Sequence, residues 1–168
     1  MFTLTLPWLV VVASLLLWLP QNAVHEGAHC LAHKYAGDEI VKFWPFPSWA
    51  LGSFSFAYMS YRRRTPVSPH LDGFCAAAPQ IVNTCVLALL IPLHFISLPP
   101  WLFSICAALV IVNFADGAVN LGTFYRSTPR PTDGWTWAAL WKLPTWGCRA
   151  FAVTWHLLFG AHVAAFLL

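Results

Sequence analysis

FTLTLPWLVVVASLLLWLPQNAV, residues Phe2–Val24, runs without one charged side chain straight into His25-Glu26-Gly27-Ala28-His29. About twenty apolar residues are what a helix needs to cross a bilayer. The stretch lacks a basic leading region and is long for the apolar core of a signal peptide, so it reads as a retained span. An HExxH word on a helix sets two imidazoles one turn apart on one face with a carboxylate beside the first, the pattern of a zinc hydrolase. Ionisable groups at the end of such a segment are costly to hold near lipid, and that cost argues for a function.

The whole chain follows the same pattern. Of 168 residues, 59% are hydrophobic and only 9% charged, where a soluble domain carries about a quarter. The expectation is an all-α membrane protein, a single domain over residues 1–168 with spans at about 4–32, 73–95, 101–121 and 150–168. A formal net charge of +3 gives no argument for a nucleic-acid partner. The five cysteines are odd in number and show no CxxC pairing, so neither a disulfide framework nor a thiolate metal site is expected.

Between the first two spans, residues 37–69 are rich in aromatics and serine. Gly52-Ser53-Phe54-Ser55-Phe56-Ala57-Tyr58 alternates as a strand does, and Pro45 and Pro47 break the chain upstream. A β-hairpin or small sheet at the membrane surface is expected here. It could serve as an interfacial aromatic belt or as a strand edge that holds an extended substrate. Residues 122–149, with Pro129, Pro131 and Pro144, read as loop.

All nine basic residues fall in two connections. Lys34, Lys42, Arg62, Arg63 and Arg64 lie in the first, and Arg126, Arg130, Lys142 and Arg149 in the third. With four spans these connections share one side, which the positive-inside rule makes cytoplasmic, with both termini outside. The compact chain suits a prokaryotic plasma membrane.

HExxH, the start of the second span at Ala76-Ala77-Ala78-Pro79-Gln80-Ile81-Val82-Asn83, and the polar end of the third span then converge at one depth. A catalytic zinc takes three protein ligands and leaves one position open. His25 and His29 supply two, while Asp133 and Asp116 are candidates for the third. His33 stands about 12 Å from His25 along the helix, too far to share an ion, and reads as an interfacial side chain.

This ordered set resembles the site-2 protease family of intramembrane zinc metalloproteases. The family pairs HExxH with an AGPxxN-like segment in the next core span and an Asp-Gly after an Asn-Leu in the third. The resemblance implies that His25, His29 and Asp133 hold Zn2+ and that Glu26 is the general base. It matches Ala77, Pro79 and Asn83 to the close-packing segment and Asn120-Leu121 to the start of the third motif. The chain departs from the pattern in three places. Ala78 stands where glycine is usual, Trp135 where a second glycine often stands, and Arg126-Ser127-Thr128-Pro129-Arg130-Pro131 lengthens the step from Asn120 to Asp133. Asn83 and Asn120 are candidate oxyanion donors. The expected activity is endopeptidase cleavage of a membrane-protein or peptide substrate near the cytoplasmic face, with the lipid bilayer as the other partner. The alternatives are an inactive protease-like protein that binds membrane partners and a metal-handling membrane protein. Loss of Glu26 separates these readings, because a metal carrier does not need it.

Overall fold

The structure, a computed structural model, describes residues 6–50, 53–55, 57–126 and 132–167. Among the described residues four helices are long and apolar enough to cross a membrane: Pro7–Tyr35, Pro69–Phe95, Pro100–Tyr125 and Thr145–Leu167. The chain is an all-α integral membrane protein with a small antiparallel β element.

Helix α1 (Pro7–Tyr35) opens on a proline at its first position and carries Pro20 inside. It is one continuous helix through the HExxH word. At 1.5 Å per residue, His25 stands about 27 Å along the helix from Pro7, close to the thickness of a hydrocarbon core of about 30 Å. After α1, Gly37 takes a φ of +84°, a left-handed conformation that glycine adopts at little cost at a helix end. That turn leads into β1 (Glu39–Trp44), β2 (Ser48–Ala50), β3 (Ser53–Ser55) and β4 (Tyr58–Arg62). β1 pairs antiparallel with β4 with a register irregularity at Val41, and β2 pairs with β3 between them. Pro45 and Pro47 separate β1 from β2 as expected, while Gly52 and Phe56 of the alternating stretch lie outside the described residues.

Helix α2 (Pro69–Leu90) begins at Ser68, whose hydroxyl accepts the Leu71 N–H at 3.2 Å. Proline at the first position and Asp72 in the first turn complete a favourable start. A short 3-10 turn, Ile91–Phe95, and the tight connection to Pro100 lead into α3 (Pro100–Gly122). The region read as loop after α3 contains a further helix, α4 (Asp133–Leu140), and the last span, α5 (Thr145–Leu167), starts earlier than residue 150. Residues 127–131, most of the lengthening in the third motif and the site of Arg130, lie outside the described residues.

Small residues set the packing. Ala28, Ala32 and Ala36 of α1 and its end face Cys75 and Ala78 of α2, which lets the two backbones approach closely. Gly117 on α3 leaves room for the Trp155 indole of α5, which stacks on Phe114 with 5.4 Å between centroids. The end of α1, the start of α2, the end of α3 and α4 therefore meet at one end of the bundle.

Candidate metal centre

Three side chains from α1 and α4 come together. The His25 Nε2 lies 3.3 Å and the His29 Nε2 3.2 Å from the same oxygen, Asp133 Oδ2. The candidate ligand atoms of His25, His29 and Asp133 all lie within 4.8 Å of one another. Ligand atoms bound 2.0–2.1 Å from a tetrahedral zinc are about 3.3 Å apart, so these nitrogen–oxygen separations fit the ion. The other ring nitrogens are occupied. The His29 Nδ1 donates to the Cys75 carbonyl at 2.8 Å, and the His25 Nδ1 points to Asp116, 2.9 Å away. With Nδ1 protonated in both rings, both Nε2 lone pairs face the shared point.

The Cys75 carbonyl is available for a local reason. In a regular helix it would accept the N–H of residue 79, but Pro79 has none. The proline that breaks one backbone bond thus leaves an acceptor facing α1, and His29 fills it.

Asp133 is set by the start of α4. Thr132 caps that helix, its hydroxyl accepting the Trp135 N–H, and it also meets the Thr123 hydroxyl at 3.2 Å. A Cβ on Gly134 would sit 3.2 Å from the Asn120 carbonyl oxygen. The glycine after Asp133 is therefore what lets α4 press against the end of α3. Buried Phe124 then packs edge-on against Trp135 and Trp137. Burial opposes ionisation of Asp133, and in the metal-free site hydrogen bonds from the His25 and His29 rings, donated when these carry a proton on Nε2, more than offset it and hold the carboxyl well below its usual range. The Asp133 side chain is 39% exposed against 9% for His29, so the centre opens on the aspartate side.

The opening is a cleft of about 290 Å³ lined by Glu26, His29, Met59, Tyr61, Asp72 and Asp133, among others. Glu26 and Met59 both line this cleft, so strand β4 borders it. A larger groove of about 570 Å³ between α1 and α2 is lined by residues such as Leu31, Phe74 and Ile81 and offers no ligand chemistry.

Other expected site residues stand elsewhere. Asp116, the reserve third ligand, sits on the Nδ1 side of His25, away from the Asp133 oxygen. Asn83 is fully buried and engaged with Gln21 and Asp116, and among the described residues Asn120 reaches the Asp116 carbonyl of its own helix at 3.5 Å. Neither asparagine lines the cleft, so the oxyanion role has no support from their placement. His33 is not interfacial but buried. Its Nδ1 donates to Asp38 at 2.8 Å and its ring stacks on Tyr61 at 3.7 Å. Asp38 also accepts Arg63, which donates a further bond to Asp72 at 2.7 Å. This network pins the β element to both α1 and α2 beside the cleft. Three further histidines lie apart: His94 and His162 pair at 2.7 Å near the opposite end, and His156 donates to the Ala152 carbonyl at 2.6 Å.

Reading the residues alone missed Gln21, the one side-chain amide to reach this site from α1, and α4. Gln21 had a signal, since an amide in an apolar span needs a partner. Compared with family models, curated proteins and solved structures, the chain finds no match.

Proposed function

We propose that this chain is an intramembrane zinc endopeptidase that hydrolyses a peptide bond of a membrane-protein substrate near the cytoplasmic face of a prokaryotic plasma membrane. The observation that carries the reading is the approach of two imidazole nitrogens to one partly exposed carboxylate oxygen, with Glu26 in the same cleft. Two nitrogens and an oxygen with an open side are the donor set of a catalytic rather than a closed structural zinc. The ordered HExxH, Ala-Pro-x-x-x-Asn and Asp-Gly segments support the likeness to site-2 proteases. The one-sided basic residues support the orientation.

Bound zinc supplies Lewis acidity, making water a nucleophile near neutral pH and polarising a carbonyl. His25, His29 and Asp133 would hold it. Glu26, beside a ligand in sequence and facing the cleft, takes the proton from water and delivers it to the leaving amine nitrogen. A peptide bond in a helix is shielded by its own hydrogen bonds, so the substrate must be locally extended. The edge of β4 beside Glu26 offers main-chain groups along which an extended segment can pair.

The test uses proteoliposomes carrying the wild-type or the Glu26→Gln chain, incubated with a library of membrane-spanning peptides and read by mass spectrometry. Wild type is expected to cut within or beside the apolar segments. Glu26→Gln should retain zinc and lose about 10²–10⁴-fold in rate. Equal cutting by the variant, or none by zinc-loaded wild type, contradicts the proposal.

A further inference from the structure

A second, half-buried carboxylate lies behind His25, and the proposed chemistry does not use it. Asp116 comes from the last two turns of α3, and its side chain is 16% exposed. Three groups reach it within hydrogen-bond distance, from two other helices. The His25 Nδ1 is at 2.9 Å, the Gln21 Nε2 at 3.0 Å and the Asn83 Nδ2 at 2.9 Å, all to Oδ2. The orientation of the amides is fixed by their mutual contact. Gln21 has two amide hydrogens and gives one to Asp116 and one to Asn83 Oδ1 at 2.7 Å. With its oxygen committed to Gln21, Asn83 can turn only its NH2 toward Asp116. Flipping either amide would set a lone pair against the carboxylate or leave the pair between them unmade.

Asp116 is thus met by three donors on Oδ2, with the His25 Nδ1 also 3.1 Å from Oδ1, and a group that only accepts satisfies them best. An ionised carboxylate is that group. It in turn requires a hydrogen on the His25 Nδ1, which leaves the Nε2 lone pair aimed at Asp133. The two imidazoles are therefore backed unequally: His29 donates to a neutral carbonyl, His25 to a charge-bearing carboxylate. A carboxylate behind a histidine fixes its tautomer and ring orientation and makes it a stronger donor to a metal.

We propose that Asp116, held by Gln21 and Asn83, is the positioning residue of the metal centre, acting through His25 rather than as a ligand. The inference rests on the zinc reading above. Three helices contribute to it, α1 with Gln21 and His25, α2 with Asn83 and α3 with Asp116. The metal affinity of the centre therefore depends on the packing of the bundle.

The test measures zinc affinity by competition with a chelator, together with the visible spectrum of the cobalt-substituted protein, for wild type and Asp116→Asn. Thermal unfolding and gel-filtration profiles are read alongside in the same detergent. Asp116→Asn keeps the shape but turns one donor, its own NH2, toward another. The expected result is zinc bound about 10–100-fold more weakly, with a shifted cobalt spectrum, in a variant that elutes as wild type does. A purely structural Asp116 would change the unfolding temperature without moving the spectrum. Wild-type affinity and spectrum in a folded Asp116→Asn chain overturn the inference and leave the metal centre standing. Failure of the wild type to bind zinc overturns the metal reading itself, and this inference with it. Should Asp116→Asn not fold, Gln21→Met decides: a several-fold weaker affinity with normal elution supports the role, and unchanged affinity refutes it.

Discussion

Replacing Pro79 by alanine separates the stability of α2 from the geometry of the proposed metal centre. Proline inside a helix costs about 3 kcal/mol relative to alanine, so the exchange favours the helix. Pro79 is fully buried, however, and truncating its ring removes two methylenes from the core. At about 0.8 kcal/mol each, with a further cost for the cavity left behind, this offsets most of the gain. Stability of the metal-free chain should therefore change by no more than about 1 kcal/mol. The new N–H at position 79 takes up the Cys75 carbonyl and draws it into the helix, away from the His29 Nδ1 that it accepts at 2.8 Å. A neutral hydrogen bond contributes about 1 kcal/mol, so zinc affinity should fall about fivefold. Thermal unfolding of the metal-free protein and chelator competition at neutral pH measure the two effects separately. Affinity equal to wild type in a chain of equal stability would refute the claim that the proline frees a carbonyl for His29.

Two further outcomes follow from the packing and the charge network. A Cβ at Gly73 would run into the Trp141 indole, which donates to the His70 carbonyl at 3.0 Å. Gly73→Ala should therefore lower stability by about 1–3 kcal/mol, seen as a lower unfolding temperature. Burial opposes ionisation of Asp38, but Arg63 and His33 more than offset it and hold its carboxyl below the usual range. A depressed carboxyl contributes stability that is present above its unfolded pKa of about 3.9 and is lost as pH falls through the folded value. The unfolding-temperature difference between wild type and Asp38→Asn should hold constant from pH 7 to about 4.5 and shrink below about 4. A difference that instead grows on acidification would contradict the network.

What the residues declared in advance, and what they withheld, divides along a physical line. Apolar length and charge placement set the four spans, because crossing a bilayer is a demand on composition. The proline breaks at Pro45 and Pro47 set the strand boundaries, because they act locally. Helix α4 was hidden because eight residues between prolines carry little periodic signal. Its helicity depends on the Thr132 cap and on packing that Gly73 and Gly134 permit. His33 was misread for a similar reason: its partner Asp38 is brought back by a left-handed turn at Gly37, and Tyr61 arrives from the far strand. Asp116 and Asp133 could both be assigned to the right end of the bundle. Which of them faces Nε2 and which Nδ1 depends on helix rotation, and spacing along the chain does not encode that.

Zinc content per chain in the detergent-purified protein, measured for wild type and Asp133→Ala, decides whether His25, His29 and Asp133 hold a metal. About one zinc is expected in wild type and little or none in the variant, since three protein ligands are what hold a catalytic ion. Full zinc retained by Asp133→Ala would contradict the assignment of the third ligand. No zinc in wild type, even after it is added back, would contradict the metal centre altogether.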